Sequence, residues 1–188
     1  DPAAWYHLVV VYDSAQATST NRVKIYVNGS QVTSFSTSSY PAQNTVGAIS
    51  NSNASYLSSF AGSTEFFDGY LAEVNLIDGQ ALTPSSFGET NATTGVWQPI
   101  KYAGTYGTNG FYLQFTSSTN STYAASFNGS NQYVTMGSPV PASLQMTTSV
   151  TLSAWINTSG LSAGNLYQIV GCQYDTGTYK GCTIFVDT

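Results

Sequence analysis

An antiparallel all-β fold, with sheets packed as a sandwich or closed as a barrel, is predicted for this 188-residue chain. Three observations predict it. Short runs of β-branched and aromatic residues recur along the chain, separated by Gly-, Asn-, Asp- and Ser-containing turns. Asn28-Gly29 joins two such runs, which is the strongest short-range hairpin signal. No stretch carries the pattern of a long helix.

The run 5–12 is apolar on both faces and is expected to be an inner strand of a packed sheet. In 22–27, Val23, Ile25 and Val27 point one way and Arg22, Lys24 and Tyr26 the other, as in a half-buried antiparallel strand. The hairpin returns through 30–35. Short strands are expected at 46–49 and 56–60. In the next, 70–77, Leu71, Glu73 and Asn75 alternate with Tyr70, Ala72, Val74 and Leu76. Asp78-Gly79 makes a turn. Residues 82–88 read as one helical turn, with Thr83 as cap, Pro84 first and Gly88 as stop. Residues 88–110 lack clear periodicity, but Val96, Trp97, Ile100 and Tyr102 need somewhere to pack, so this connector is expected to be ordered. Strands resume at 111–115, 123–128, 132–136, 149–156, 167–174 and 182–187, the last an edge that calls for cover.

Charged residues make up only 7% of the chain, so Ser, Thr, Asn, Gln and Gly must keep it soluble. Disorder is excluded by the 14% aromatic content together with abundant β-branched residues. The net charge is −5, and Arg22, Lys24, Lys101 and Lys180 cannot assemble a basic patch, which argues against nucleic-acid partners. No apolar run approaches the ~18 residues of a membrane span. The sequence opens at Asp1-Pro2 without Met, as in a processed protein or a piece of a longer one. This is the composition of an extracellular or virion protein. Cys172 and Cys182 flank a hairpin tip around Gly177. They either form a cross-strand disulfide or remain two buried thiols, and a metal site would need ligands beyond the single His7.

Several phrases resemble a known family. Trp5-Tyr6-His7-Leu8-Val9 and Val23-Lys24-Ile25-Tyr26-Val27-Asn28-Gly29 resemble the W-x-H and V-x-I-Y-V-N-G core of laminin-G-like, concanavalin A-like jelly rolls. Phe67-Asp68-Gly69-Tyr70-Leu71-Ala72-Glu73-Val74 resembles that family's closing strand. Ala125-Ser126-Phe127-Asn128-Gly129 is similar to its opening strand, and Val150-Thr151-Leu152-Ser153-Ala154-Trp155-Ile156 to the inner strand that follows. The wording around 78–96 is similar to versions in marine bacteriophage virion proteins. The resemblance implies an antiparallel β-sandwich of jelly-roll type with the family halves in permuted order. Residues 1–90 form the late half, 91–110 a connector and 111–188 the early half. The alternative is parts of two tandem sandwiches.

Glycoside hydrolases occur in this fold, and a retaining one needs two carboxylates about 5–5.5 Å apart. The best local cluster, Glu65, Asp68 and Glu73, lacks the spacing that would pair two of them on one strand. His7 has no sequence-nominated nucleophile or acid beside it. No enzymatic activity is expected. The resemblance also implies that Ca²⁺, although not required, would sit at a rim of the sandwich, at Asp13, Asp68, Asp78 or Asp175, each of which also suits a turn. Tyr56, Tyr102, Tyr106, Tyr174 and Tyr179 lie in or near loops and are the candidate contacts for glycans or neighbouring chains. The expected function is structural or adhesive, at a virion or extracellular surface and in an oligomeric assembly. A carbohydrate-binding module of a secreted protein is the alternative.

Overall fold

A computed structural model describes residues 4–46, 55–60, 62–115, 124–135, 149–158, 166–172 and 184–187. In chain order the strands are β1 (Trp5–Asp13), β2 (Val23–Val27), β3 (Ser30–Gln31), β4 (Ser55–Leu57), β5 (Asp68–Asp78), β6 (Gly88–Thr90), β7 (Trp97–Pro99), β8 (Phe111–Leu113), β9 (Ala125–Asn128), β10 (Val134–Thr135), β11 (Ser149–Thr158), β12 (Leu166–Cys172) and β13 (Ile184–Asp187). Single 3₁₀ turns lie at Ser19–Asn21 and Pro84–Ser86. The larger sheet runs β3-β2-β1-β11-β5-β8, and β9 pairs with the start of β5 on the edge that β8 shares. The smaller sheet runs β10-β4-β12-β13. Among the described residues, the paired strands of these two sheets run antiparallel to their neighbours.

The two sheets face each other across the main core, which makes the fold an antiparallel β-sandwich. Leu57, Tyr167 and Ile169 of the smaller sheet meet Tyr12, Leu71, Val74, Leu76, Val150, Leu152, Ala154 and Ile156 of the larger one. Alternation on β1 and β11 explains this, since successive side chains leave opposite faces of a strand. On β1, Tyr6, Leu8 and Tyr12 turn inward, while His7, Val9 and Val11 turn outward. The outward face is buried too. Phe87, Tyr102, Leu82 and Tyr106, from the segment after β5, pack over Val9, Val11 and Ile77. The apolar two-faced pattern of 5–12 thus records a strand with a layer on each side.

That covering segment is the connector, and it contains a hairpin with no periodic signature, β6 paired with β7. Trp97 anchors it. Gly29 and Gly88 leave room for the indole, because a Cβ on either would lie 2.7 Å from its ring. Val96, expected to pack, is 61% exposed. The Asn28-Gly29 turn matches its expectation, with both residues at positive φ and Val27 opposite Ser30.

Simple alternation fails on β5. Between Ser153↔Asn75 and Trp155↔Ala72 the register shifts, so Glu73 and Val74 together oppose Ala154. Glu73 takes φ +50 at this bulge. Leu71 therefore joins Val74 and Leu76 in the core, and Asn75 and Ile77 go to the outer face. Thr83 does not cap its turn by side chain; its hydroxyl pairs with that of Ser85 at 2.8 Å. The proposed strand at 46–49 lies largely outside the described residues, and Val46 itself is not in a strand.

Leu152→Ala in the main core is expected to cost about 2–5 kcal/mol in urea unfolding, and Val96→Ala less than about 0.5 kcal/mol. Equal losses would contradict the assignment of the core.

Candidate functional site

His7 organises the outer face of the larger sheet. Its Nδ1 accepts the Trp97 indole N–H at 2.9 Å, so its own ring proton is on Nε2 and is donated to Ser153 Oγ at 2.8 Å. The ring lies between two indoles, with centroids 5.0 Å from Trp155 and 6.0 Å from Trp97 and interplanar angles of 15° and 22°. The backbone N–H of His7 donates to Asn28 Oδ1 at 2.8 Å. Through its ring His7 joins β1, β11 and β7, and through its backbone N–H the β2–β3 turn. Burial lowers its pKa from 6.5 to about 4. A histidine with both ring nitrogens engaged and no solvent access acts as a rivet rather than a base.

At the end of the same face lies an exposed strip. Trp5 pairs with Asn157, and Asn157 with Tyr70, so the three side chains leave one face in a row. Two interstrand steps put the outer pair about 10 Å apart. Trp5 is 41% and Tyr70 40% exposed. Two flat exposed rings can stack on apolar ring faces. Sequence reading missed both rings because each sits inside a strand whose neighbours are core. The available signal was the parity of Trp5 with outward His7.

A second aromatic group lies on the smaller sheet. The Tyr56 and Tyr133 rings meet edge to face at 5.5 Å, and Phe66 stacks on Tyr133 at 6.3 Å. Tyr133 is 43% exposed. Beside it the backbone joins the 58–67 hairpin to β12, with Gln168 N–H donating to Glu65 O at 2.9 Å and Ser58 N–H to Ile169 O at 2.8 Å. Here the fully buried Gln168 has no partner for either amide atom, and Ser59 Oγ and Glu65 Oε2 have none. Such groups cost about 1–3 kcal/mol each. Burial also raises the Glu65 pKa.

The sequence-nominated residues scatter. Tyr56 belongs to the second aromatic group. Tyr102 is buried against Phe87 and Tyr106 and hydrogen-bonds Thr105 O, so its ring offers no open platform. Tyr106 is half-buried and donates to Asn75 Oδ1 at 3.2 Å. Tyr174, Tyr179, Asp175 and Cys182 lie outside the described residues, as does the Cys172 side chain, so the disulfide question falls there too. Asp13 accepts from Ala15 N–H, the Gln16 amide and the Ser149 hydroxyl, in a turn role. Asp78 accepts twice from Asn109. Asp68 stands at the opposite end of β5, across from Asn128.

Ca²⁺ takes six to eight oxygens. These three carboxylates stand apart, and no group of three or more His, Cys, Asp or Glu converges among the described residues. Nor do Glu65, Asp68 and Glu73 share surroundings. Glu65 touches β12 and Asp68 opens β5, while the Glu73 carboxylate accepts the Tyr112 hydroxyl at 2.6 Å. Burial, then the hydrogen bond and charge of Glu73, raise the Tyr112 pKa well above its ordinary 10.

Residues 1–86 match a family model, Laminin_G_3, described as the concanavalin A-like lectin/glucanases superfamily. The matched part holds the Trp-x-His strand, the Asn-Gly hairpin and β5. No curated protein and no solved structure matches the chain.

The His7 environment sets a pH response. No charged side chain is among its partners, which are Ser153, Trp155, Trp97 and Asn28. Because the folded pKa lies below the unfolded one, the unfolded chain binds the proton first as pH falls. Stability is then full above about 6.5 and is lost as pH falls to about 4, by roughly 3 kcal/mol. His7→Gln is expected to abolish this component, measured as the difference between the two chains' urea midpoints against pH. Parallel curves through that window would refute the assignment.

Proposed function

We propose that the chain is a non-enzymatic structural and adhesive module, and that the Trp5–Asn157–Tyr70 strip is its contact surface. The observation that carries this reading is the pair of exposed rings on one sheet face. Aromatic faces and an amide suit the alternating apolar and hydroxylated surfaces of a sugar chain. A chain with so little charge gains nothing from electrostatic steering, so recognition rests on shape and hydrogen bonds.

The finer reading places the module on a phage particle, as capsid decoration or part of a fibre, in contact with other virion chains and host glycans. The phrasing of 78–96 and the Ser/Thr/Asn-rich, low-charge composition support it. A carbohydrate-binding module of a secreted protein is the alternative, favoured by the superfamily matched over 1–86. The two family halves are read as completing one sandwich in permuted order, supported by the pairing of β11 with β1 along its length. Catalysis is not part of the reading, since the acidic side chains nominated for it lie apart.

Purified protein is expected to bind a surface-immobilised glycan array, and Trp5→Ala and Tyr70→Ala to weaken that binding about tenfold or more each. Both positions are exposed, so thermal stability should change little. Undiminished binding in both variants would remove the strip from the site. Hydrolysis of any arrayed glycan that disappears with Glu73→Gln would replace the non-enzymatic reading.

A further inference from the structure

Residues 88–99, the hairpin of β6 and β7, are held to the sheets through one side chain. The hairpin bonds mainly within itself. Asn91 N–H donates to Val96 O and Gly95 N–H to Asn91 O, each at 2.8 Å, and the Asn91 amide donates to Gln98 Oε1 at 3.0 Å. Among the described residues, the hydrogen bond that ties 88–99 to either sheet is the one from the Trp97 indole to His7 Nδ1. Glu89, Thr90 and residues 92–96 are exposed, and the outer apolar cluster is built from Val9, Val11, Ile77, Phe87 and Tyr102, outside this hairpin. A two-stranded hairpin is marginal by itself, so this one depends on its anchor.

The anchor bond exists in one protonation state only. Neutral His7 donates its Nε2 proton to Ser153 Oγ and offers the Nδ1 lone pair to the indole. A second proton must take that lone pair. Two N–H donors then face each other where one bond of 2.9 Å had been, and the indole loses its acceptor. The surroundings supply no counter-charge. Ser153 and Trp155 meet the ring from β11 and Trp97 from β7, while Gly88 of β6 lies against the Trp97 indole and Asn28 takes the His7 backbone N–H. The titratable groups of this face are engaged or placed elsewhere. Lys24 and Tyr26 stand opposite Val11 and Val9, Glu73 accepts from Tyr112, Tyr106 donates to Asn75, and Glu89 accepts from the Gln98 amide. None of them bonds to the imidazole. A buried cation without a partner is costly, and moving Trp97 away lets water reach it.

We infer that the 88–99 hairpin is an acid-released flap, latched on the outer face of the larger sheet by the Trp97 indole on neutral His7. Closed, the indole covers the Nδ1 edge of a ring that is wholly buried. His7 lies two positions from Trp5 on the same face of β1, so release adds its ring to the exposed aromatic strip. The latch itself does not depend on what that strip binds. The latched ring takes up a proton less readily than an open one, so falling pH favours the open form. The open-to-closed ratio grows about tenfold per pH unit between 6.5 and about 4. β1, β11 and β5 keep their own ladders throughout.

The test is an NMR titration of the full chain, whose single His gives one unambiguous imidazole signal. Backbone amide protection, corrected for the intrinsic exchange rate, is followed from neutral pH to about 4 in wild type, Trp97→Phe and His7→Gln. In wild type, protection within 88–99 is expected to fall about tenfold per pH unit while β5 and β11 stay protected. Trp97→Phe keeps a ring beside Gly29 and Gly88 but has no N–H, and its His7 titrates closer to 6.5 than in wild type. His7→Gln offers an amide oxygen at every pH and shows no acid-dependent fall. Equal loss of protection in β5 and β11 makes the event global unfolding and overturns the proposal. So does a protonated His7 with 88–99 still protected, an unchanged His7 titration in Trp97→Phe, or an acid-dependent fall that persists in His7→Gln. The wild-type slope and the Trp97→Phe titration decide the matter even where His7→Gln fails to fold.

Discussion

The backbone ladder on the two sides of β11 is the interaction on which the rest of the structure depends. This strand pairs with β1 from Asp13 to Trp5 and with β5 from Asp78 to Gly69. It thus places side by side sequence segments more than 70 residues away on one side and over 130 on the other. Its side chains then divide the work by parity. Val150, Leu152, Ala154 and Ile156 build the main core. Thr151 ties down the connector through Leu82 N–H and Gln80 O, Ser153 holds the imidazole, and Trp155 stacks on it. Asn157 ends the series between the two exposed rings.

Much of this architecture was legible in the sequence, because the signals are local. Asn28-Gly29 fixed a hairpin through the φ values that only such a pair adopts easily. The unbroken apolar run at the start of β1 announced burial on both faces, and Trp97, Ile100 and Tyr102 announced that the connector would pack. What stayed hidden depends on contacts between distant residues. Nothing around Glu73 signals a bulge, since the shift arises where β5 must match both β11 and the two short strands on its other edge. The site was less legible than the fold. Loop tyrosines were the natural nominees, yet Tyr102 is consumed by packing, and the exposed rings Trp5 and Tyr70 lie within strands. The unmet amide of Gln168 has no sequence signature, because only its surroundings make it unusual.

The two aromatic surfaces differ in how they are held. The strip on the larger sheet rests on three long paired strands and is pre-organised, so a ligand there needs little rearrangement. Around Tyr133, the unmet atoms of Ser59, Glu65 and Gln168 and the left-handed Ser58 and Glu65 lower local stability. A fold can carry that load because the main core and the imidazole rivet lie elsewhere, one between the sheets and the other on the far face of the larger sheet.

The position of β1 has a mechanical consequence. This nine-residue strand near the start of the described chain lies between β2 and β11, hydrogen-bonded on both edges and anti-parallel to each. A pull along its axis loads those bonds in shear, so that many must fail together, whereas a pull across the strand would peel them one by one. The indole of Trp97, seated on His7, adds a side-chain stop on the outer face. Load entering through this strand would be resisted along its axis and would unzip it when applied sideways.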